Sequence, residues 1–226
     1  MGLMDRSTVL MYLMRAIVML VAIPVHEAAH AYVSAKLGDT TARDYGRLTL
    51  NPMAHFDLMG AICMVVAGVG WAKPVPANPG RFKNPKKGMA LTAAAGPAAN
   101  ILLAFFSIIL YKVIYYLAPN TAIWRFLLLL MNYMASINIT LAVFNLLPIP
   151  PFDGSRIVNL ILPPHLYFKI MQYERYIFLG MFLLLILGVF DLPLAILRHW
   201  MWKFLGWCTG FVDHMLAGAL FSTVAL

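Results

Sequence analysis

Long apolar runs alternate with short polar, basic loops along this chain. Runs of 18 or more apolar residues are long enough to cross a bilayer as helices. One such run covers roughly 9–35, broken by Arg15 and by the group His26, Glu27 and His30. Others cover 89–117, 123–147, 176–197 and 204–226. A weaker run at 56–72 is short and interrupted by Gly60, Gly68 and Gly70. The pattern predicts an all-α polytopic membrane protein with about five transmembrane helices plus one re-entrant segment at 56–72. No stretch is long and polar enough for a separate soluble domain. We therefore expect a single membrane-embedded domain over 1–226, ending in a helix pair at 176–226. No cleavable signal peptide is expected, because the N-terminus lacks a basic n-region.

Composition agrees. Of 226 residues, 62% are hydrophobic and 12% charged, with a mean hydropathy of +0.79. Soluble domains carry about 45–50% apolar and about 25% charged residues. This excludes intrinsic disorder, a fibrous protein and an ordinary soluble enzyme, and it makes the lipid bilayer the surrounding medium. The net charge of +8 fits basic loops held on the cytoplasmic side of a membrane better than a nucleic-acid partner, which is not expected. Lys36, Arg43 and Arg47 mark residues 36–55 as cytoplasmic. Lys73, Arg81, Lys83, Lys86 and Lys87 mark 73–87, and Arg156, Lys169 and Arg175 mark 148–175. With 56–72 re-entrant, 89–117 then runs outward and 123–147 runs back. Cys63 and Cys208 lie far apart in apolar runs, so neither a disulfide nor a cysteine metal site is expected. Lys73 with Pro74, Pro76 and Pro79 predicts a short extended surface segment. It is either a plain linker or a strand that could pair with an unwound substrate.

The first apolar run contains His26-Glu27-Ala28-Ala29-His30. Positions i and i+4 share one helix face. Two imidazoles there can bind one metal ion, and the glutamate beside the first reaches the attacking water. By chance this pattern is expected on the order of 0.001 times in a chain of this composition. The bland reading is a histidine pair satisfied by backbone groups. In a membrane that reading is weak, because ionisable groups there are costly and usually functional.

A catalytic zinc normally takes three protein ligands and keeps one open position. The best candidate for the third is Asp153, in Asn145-Leu-Leu-Pro-Ile-Pro-Pro-Phe-Asp153-Gly154. Pro148, Pro150 and Pro151 stop the preceding helix, and Gly154 allows a sharp bend. Taken alone, Asp153 could equally be a turn residue at the membrane surface. The topology favours the ligand reading: His30 and Asp153 both lie near the cytoplasmic ends of their segments. His55 is the rival ligand, or a regulatory group, against a plain interfacial histidine. Asp57 is expected to cap the re-entrant segment. His165, His199 and His214 are expected at the interface.

With these motifs on the page, the sequence resembles the site-2 proteases, the zinc intramembrane metalloproteases of peptidase family M50. The resemblance rests on HEAAH in a membrane helix, NLLPIPPFDG about a hundred residues on, and GPAAN at 96–100. Segments GRLTLNPMAHFD (46–57) and GWAKPVPANP (70–79) resemble its small prokaryotic branch. The likeness covers a core of about 16–160. It implies His26, His30 and Asp153 as metal ligands for one Zn2+ per chain, and Glu27 as catalytic base. Asn145 matches an asparagine that the family places near the substrate, where it could donate to the oxyanion. Its alternative is interhelical hydrogen bonding, as for Asn138 seven residues earlier. Asn100 either lines the site or packs with the small residues around Gly96.

The expected function is therefore hydrolysis of peptide bonds within or near transmembrane helices of membrane proteins. Zinc activates the water and Glu27 serves as general base. The expected partner is a transmembrane-helix protein substrate, and the expected place is the cytoplasmic membrane with the site near its cytoplasmic side. Two alternatives use the same ligands: a membrane metal transporter or sensor, and a catalytically inactive membrane scaffold. Transport is disfavoured because no relay of ionisable groups crosses the whole membrane.

Overall fold

The computed structural model of the chain describes residues 5–57, 59–60 and 73–224. Among these the architecture is all-helical. The elements are α1 (Arg6–Lys36), α2 (Thr41–Asp44), α3 (Pro52–His55), a 3-10 turn (Pro79–Arg81), α4 (Pro85–Leu117) and α5 (Ala122–Asn145). After them come α6 (Asp153–Val158), α7 (Pro164–Gln172), α8 (Glu174–Ile186), α9 (Asp191–Cys208) and α10 (Gly210–Val224).

Three helical starts are written in Asn-Pro pairs. The Asn51 side chain accepts from the Met53 N–H, that of Asn78 from Gly80, and that of Asn84 from Lys87. Each is followed by a proline, which needs no partner for an N–H it lacks and has its φ preset. α1 stops at Gly38, whose φ of 109° is open to glycine and costly to other residues. There Gly38 N–H bonds the Ala35 carbonyl and Asp39 N–H bonds the Ser34 carbonyl, at 3.2 and 3.0 Å. This is the paired closure that satisfies a helix's last carbonyls.

Helices α1, α4 and α5 are long and apolar enough to cross a membrane. They pack on one another, α4 lying against both others. Ala104 and Ile108 of α4 meet Ala135, Ile139 and Val143 of α5 and Leu205 of α9. Val18 and Ala22 of α1 meet Met134 of α5. Small residues recur at these contacts because lipid offers apolar side chains no reason to leave it, so close backbone approach holds membrane helices together. Leu13 and Leu20 of α1 and Leu102 and Phe106 of α4 point outward and are exposed, as a lipid-facing surface requires.

The C-terminal region departs from the expected helix pair. Residues 176–197 do not form one helix: α8 and α9 meet at an 85° bend. Gly188, at φ 73°, ends α8 with the same paired closure, its N–H on Leu185 and that of Val189 on Leu184. The apolar run at 204–226 is likewise shared, α9 giving way to α10 at Thr209. Among the described residues, three helices qualify as spans, or four if the bent pair is counted as one. Of the predicted re-entrant segment, Asp57 accepts from the Gly60 N–H at 2.8 Å, as a cap would. Residues 58 and 61–72, with Cys63, lie outside the described residues.

Candidate metal centre

α1 carries His26 and His30 one turn apart, both buried. Their Nε2 atoms are 2.9 Å apart. Asp153, at the first position of α6, places Oδ2 3.3 Å from each. No other trio of potential ligands gathers this way among the described residues. Three chain segments thus meet: α1, the N-terminus of α6 and the small-residue turn of α4 around Gly96.

The back of each ring is held. His30 Nδ1 lies 2.7 Å from the main-chain oxygen of Thr92. A carbonyl only accepts, so Nδ1 carries the proton and Nε2 presents a lone pair. His26 Nδ1 meets Asn100 Oδ1 at 3.2 Å, which selects the same tautomer. Asp153 Oδ2 is buried and receives no hydrogen bond.

Three electron-pair donors therefore face one point, an arrangement that a cation satisfies and that is repulsive otherwise. Ligands about 2.0–2.1 Å from a tetrahedral zinc stand roughly 3.3 Å apart, close to the observed spacings. Two imidazoles and one carboxylate also suit zinc chemically. The residues present fit the ion.

The turn chemistry explains the convergence. A Cβ on Gly96 would fall within 3.0 Å of both imidazoles, so α4 can approach α1 this closely only with glycine there. Gly154 has a similar role and not the expected one. Its φ is not positive; instead a Cβ there would strike the carbonyls of Leu146 and Leu147 within 3.0 Å. It lets α6 start tight against the end of α5, which carries Asp153 inward.

A cavity of about 310 Å³ opens on the trio. Glu27 and Asn145 line it, and Pro74, Val75 and Ala77 form part of its wall. Apolar residues of α5 and α8 complete it, Phe144, Phe178, Met181 and Phe182 among them. Arg156, one turn beyond Asp153, also lines it.

Other predicted residues fall elsewhere. Asn100 is fully buried and stands behind His26, outside the cavity lining. Asn138 is buried and donates to its own helix at Met134. His55 is fully buried rather than interfacial; its Nε2 bonds the Thr49 carbonyl at 2.9 Å and it does not join the trio. His165, His199 and His214 are exposed, and Cys208 is a free thiol. Sequence reading missed the Thr92 carbonyl, the lining role of Arg156 and the aromatic wall of α8. Main-chain atoms leave no residue-type signature, and an aromatic in an apolar helix reads as ordinary lipid-facing surface.

Comparison with known proteins bears on this geometry. The model of peptidase family M50 matches residues 113–188, which include Asn145 and Asp153. YwhC of Bacillus subtilis, which bears a zinc metalloprotease name, is 41% identical over 72% of this chain and 75% of its own length. Rip2 of Mycolicibacterium smegmatis, similarly named, is 26% identical over 83% of this chain and 72% of its own length. No solved structure matches.

Proposed function

The chain belongs to peptidase family M50, and from that premise we propose that it is an intramembrane zinc endopeptidase, one that cuts other proteins within or near their transmembrane helices. The observation that carries this reading is the convergence of His26 Nε2, His30 Nε2 and Asp153 Oδ2 in a cavity that Glu27 also lines. In this reading those three residues hold one zinc per chain. Residues 1–226 act as a single protease domain.

When bound, zinc supplies Lewis acidity, polarising the scissile carbonyl and making water nucleophilic near neutral pH. Glu27 accepts the proton of the attacking water and later gives it to the leaving amine. The C–N bond breaks, the carbonyl carbon keeps the new oxygen, and the amine departs protonated. Asn145 donates from the cavity wall to the carbonyl oxygen as negative charge develops on it. Asn100 and the Thr92 carbonyl keep both imidazoles in the Nε2-presenting tautomer. The apolar aromatics of α8 accept the side chains of a hydrophobic substrate segment.

A substrate helix hides its carbonyls in its own hydrogen bonds, so it must unwind to be cut. The segment 73–78, which its prolines keep out of helical conformation, leaves the Val75 and Ala77 main chain free to pair with an extended substrate. We place the site near the cytoplasmic face of the cytoplasmic membrane, since the loops at 36–55, 73–87 and 148–175 are basic.

The test is Glu27→Gln in the purified, zinc-loaded protein with a transmembrane-helix substrate. Zinc content is expected to stay at the wild-type level and cleavage to fall by about 10²- to 10⁴-fold, the usual worth of a general base. Cleavage that persists would overturn the role of Glu27.

A further inference from the structure

Asp39 is fully buried at a point where no membrane or metal chemistry calls for an acid. It follows the glycine that ends α1, nine residues after His30. Both its oxygens are occupied. Oδ1 accepts from the Thr41 N–H at 3.0 Å and from the Thr41 hydroxyl at 2.5 Å. Oδ2 accepts from the Ser34 hydroxyl at 3.1 Å and from the main-chain N–H of Asn78 at 2.7 Å. The first three bonds are local. The fourth reaches across 39 residues of chain.

That fourth bond ends on the segment that forms one wall of the catalytic cavity. Residues 73–78 lie outside any helix or strand. Pro74 and Pro76 can donate nothing. The segment is tied at its start, where the Lys73 N–H bonds the His55 carbonyl at 2.9 Å, and at its end, where Asn78 meets Asp39. Between the two ties, Pro74, Val75 and Ala77 line the cavity. A second contact backs the end tie: a Cβ on Gly38 would stand 3.3 Å from the Arg81 carbonyl, so the turn after α1 sits directly on residues 78–81. Ser34 is one helical turn beyond His30, on the same face of α1. The position of the metal-binding helix is thereby passed through Ser34 and Asp39 to the cavity wall.

We infer that Asp39 is a positioning residue for substrate: through Asn78 it fixes residues 74–77 relative to the HEAAH helix, and so sets where an extended, apolar substrate segment lies against the site. The inference rests on the protease reading. Asp39 touches neither substrate nor metal ligand and takes no part in bond breaking. A carboxylate serves here because it accepts four donors on two oxygens; an amide has one oxygen, and its NH2 would meet a donor.

The full-length protein in detergent or nanodiscs tests this with Asp39→Asn, with Ser34→Ala as the comparison. Ser34→Ala removes a donor to the same oxygen and leaves the Asn78 tie. Three quantities are read: zinc per chain, hydrogen exchange of the Lys73, Val75, Ala77 and Asn78 amides, and kcat and KM for a transmembrane-helix peptide. For Asp39→Asn the expected result is unchanged zinc, exchange at 73–78 faster by about tenfold, and KM raised about tenfold with kcat within about twofold, the signature of lost binding rather than lost chemistry. Ser34→Ala is expected to stay near wild type in exchange and KM. Unchanged exchange in Asp39→Asn, or a fall in kcat with KM constant, overturns the inference. So does an equal effect of Ser34→Ala, which would mark a merely local cluster. A wild type that binds zinc and cleaves no membrane peptide overturns the protease reading, and this inference with it. An active wild type matched by Asp39→Asn in KM removes this inference alone.

Discussion

Gly96 of α4 lies so close to His30 of α1 that a single added methyl would fall within 3.0 Å of its Nε2. The imidazole belongs to a helix more than sixty residues away in sequence, and nothing but hydrogen occupies the gap. Gly96→Ala is therefore expected to push the two helices apart or turn the rings. Metal affinity should drop on the order of 10- to 100-fold, the range seen when groups that orient ligands are disturbed. Zinc titration of the purified protein against a competing chelator checks this; wild-type affinity would contradict it.

The two site asparagines should separate by readout. Asn100 faces His26 Nδ1, so Asn100→Ala is expected to weaken zinc binding by about tenfold or more. Asn145 lines the cavity, so Asn145→Ala should leave zinc in place and lower kcat by about 10²- to 10³-fold, as loss of an oxyanion donor does.

Metal content distinguishes the two candidates for third ligand. Asp153 stands 3.3 Å from both imidazoles, whereas His55 is engaged with Thr49. Elemental analysis of Asp153→Ala is expected to show zinc lost, and of His55→Ala to show zinc retained. The reverse pattern would move the ligand to His55.

Gly154→Ala tests how Asp153 is delivered. Its methyl would meet the Leu146 and Leu147 carbonyls within 3.0 Å. Backbone cannot yield as a flexible side chain can, so α6 should shift outward. Overpacking of this kind costs about 1–3 kcal/mol, and zinc binding should weaken with it. Thermal denaturation and zinc titration of the variant provide the measurement.

Asp39 predicts a pH dependence. Burial raises its pKa, but the hydrogen bonds from Thr41, Asn78 and Ser34 outweigh burial and bring it below the ordinary carboxylate value. In the folded protein it stays ionised where the unfolded chain, at about 3.9, takes up a proton. The unfolded state then binds more protons, so this contribution is complete above that value and fades as pH falls through the folded pKa. Asp39→Asn should cost about 1–3 kcal/mol near neutral pH, as for hydrogen bonds to a charged group. The Tm difference from wild type should narrow once the pH drops below about 4. A difference that stays constant down to pH of about 2 would show that the charge of Asp39 contributes nothing.

Much of this was legible in the residues. A bilayer demands about 20 apolar residues per helix, so hydropathy alone located α1, α4 and α5. The His26–Glu27–His30 spacing places both imidazoles on one face whatever surrounds the helix, because i and i+4 are neighbours by helix geometry. The basic loops gave the expectation that Asp153 lies at the same membrane face as His30, and the two side chains stand 3.3 Å apart. These properties depend on local covalent geometry and on transfer from water to lipid, and both can be read along a chain.

Contacts between distant segments were decided by the tertiary structure. Hydropathy counts apolar residues and is blind to direction, so it could not see α8 and α9 part at 85° across Gly188. Gly96 and Gly154 read as small packing and bending residues; that each leaves room for a particular partner, an imidazole pair and two carbonyls, follows only from where other segments arrive. The Thr92 carbonyl that fixes His30 and the Asn78 amide that meets Asp39 belong to the main chain. Every residue but proline carries the same N–H and every residue the same C=O. Which ones meet a buried side chain is therefore set by the packing of α4 and the 73–78 segment against α1, where the folded chain brings them together.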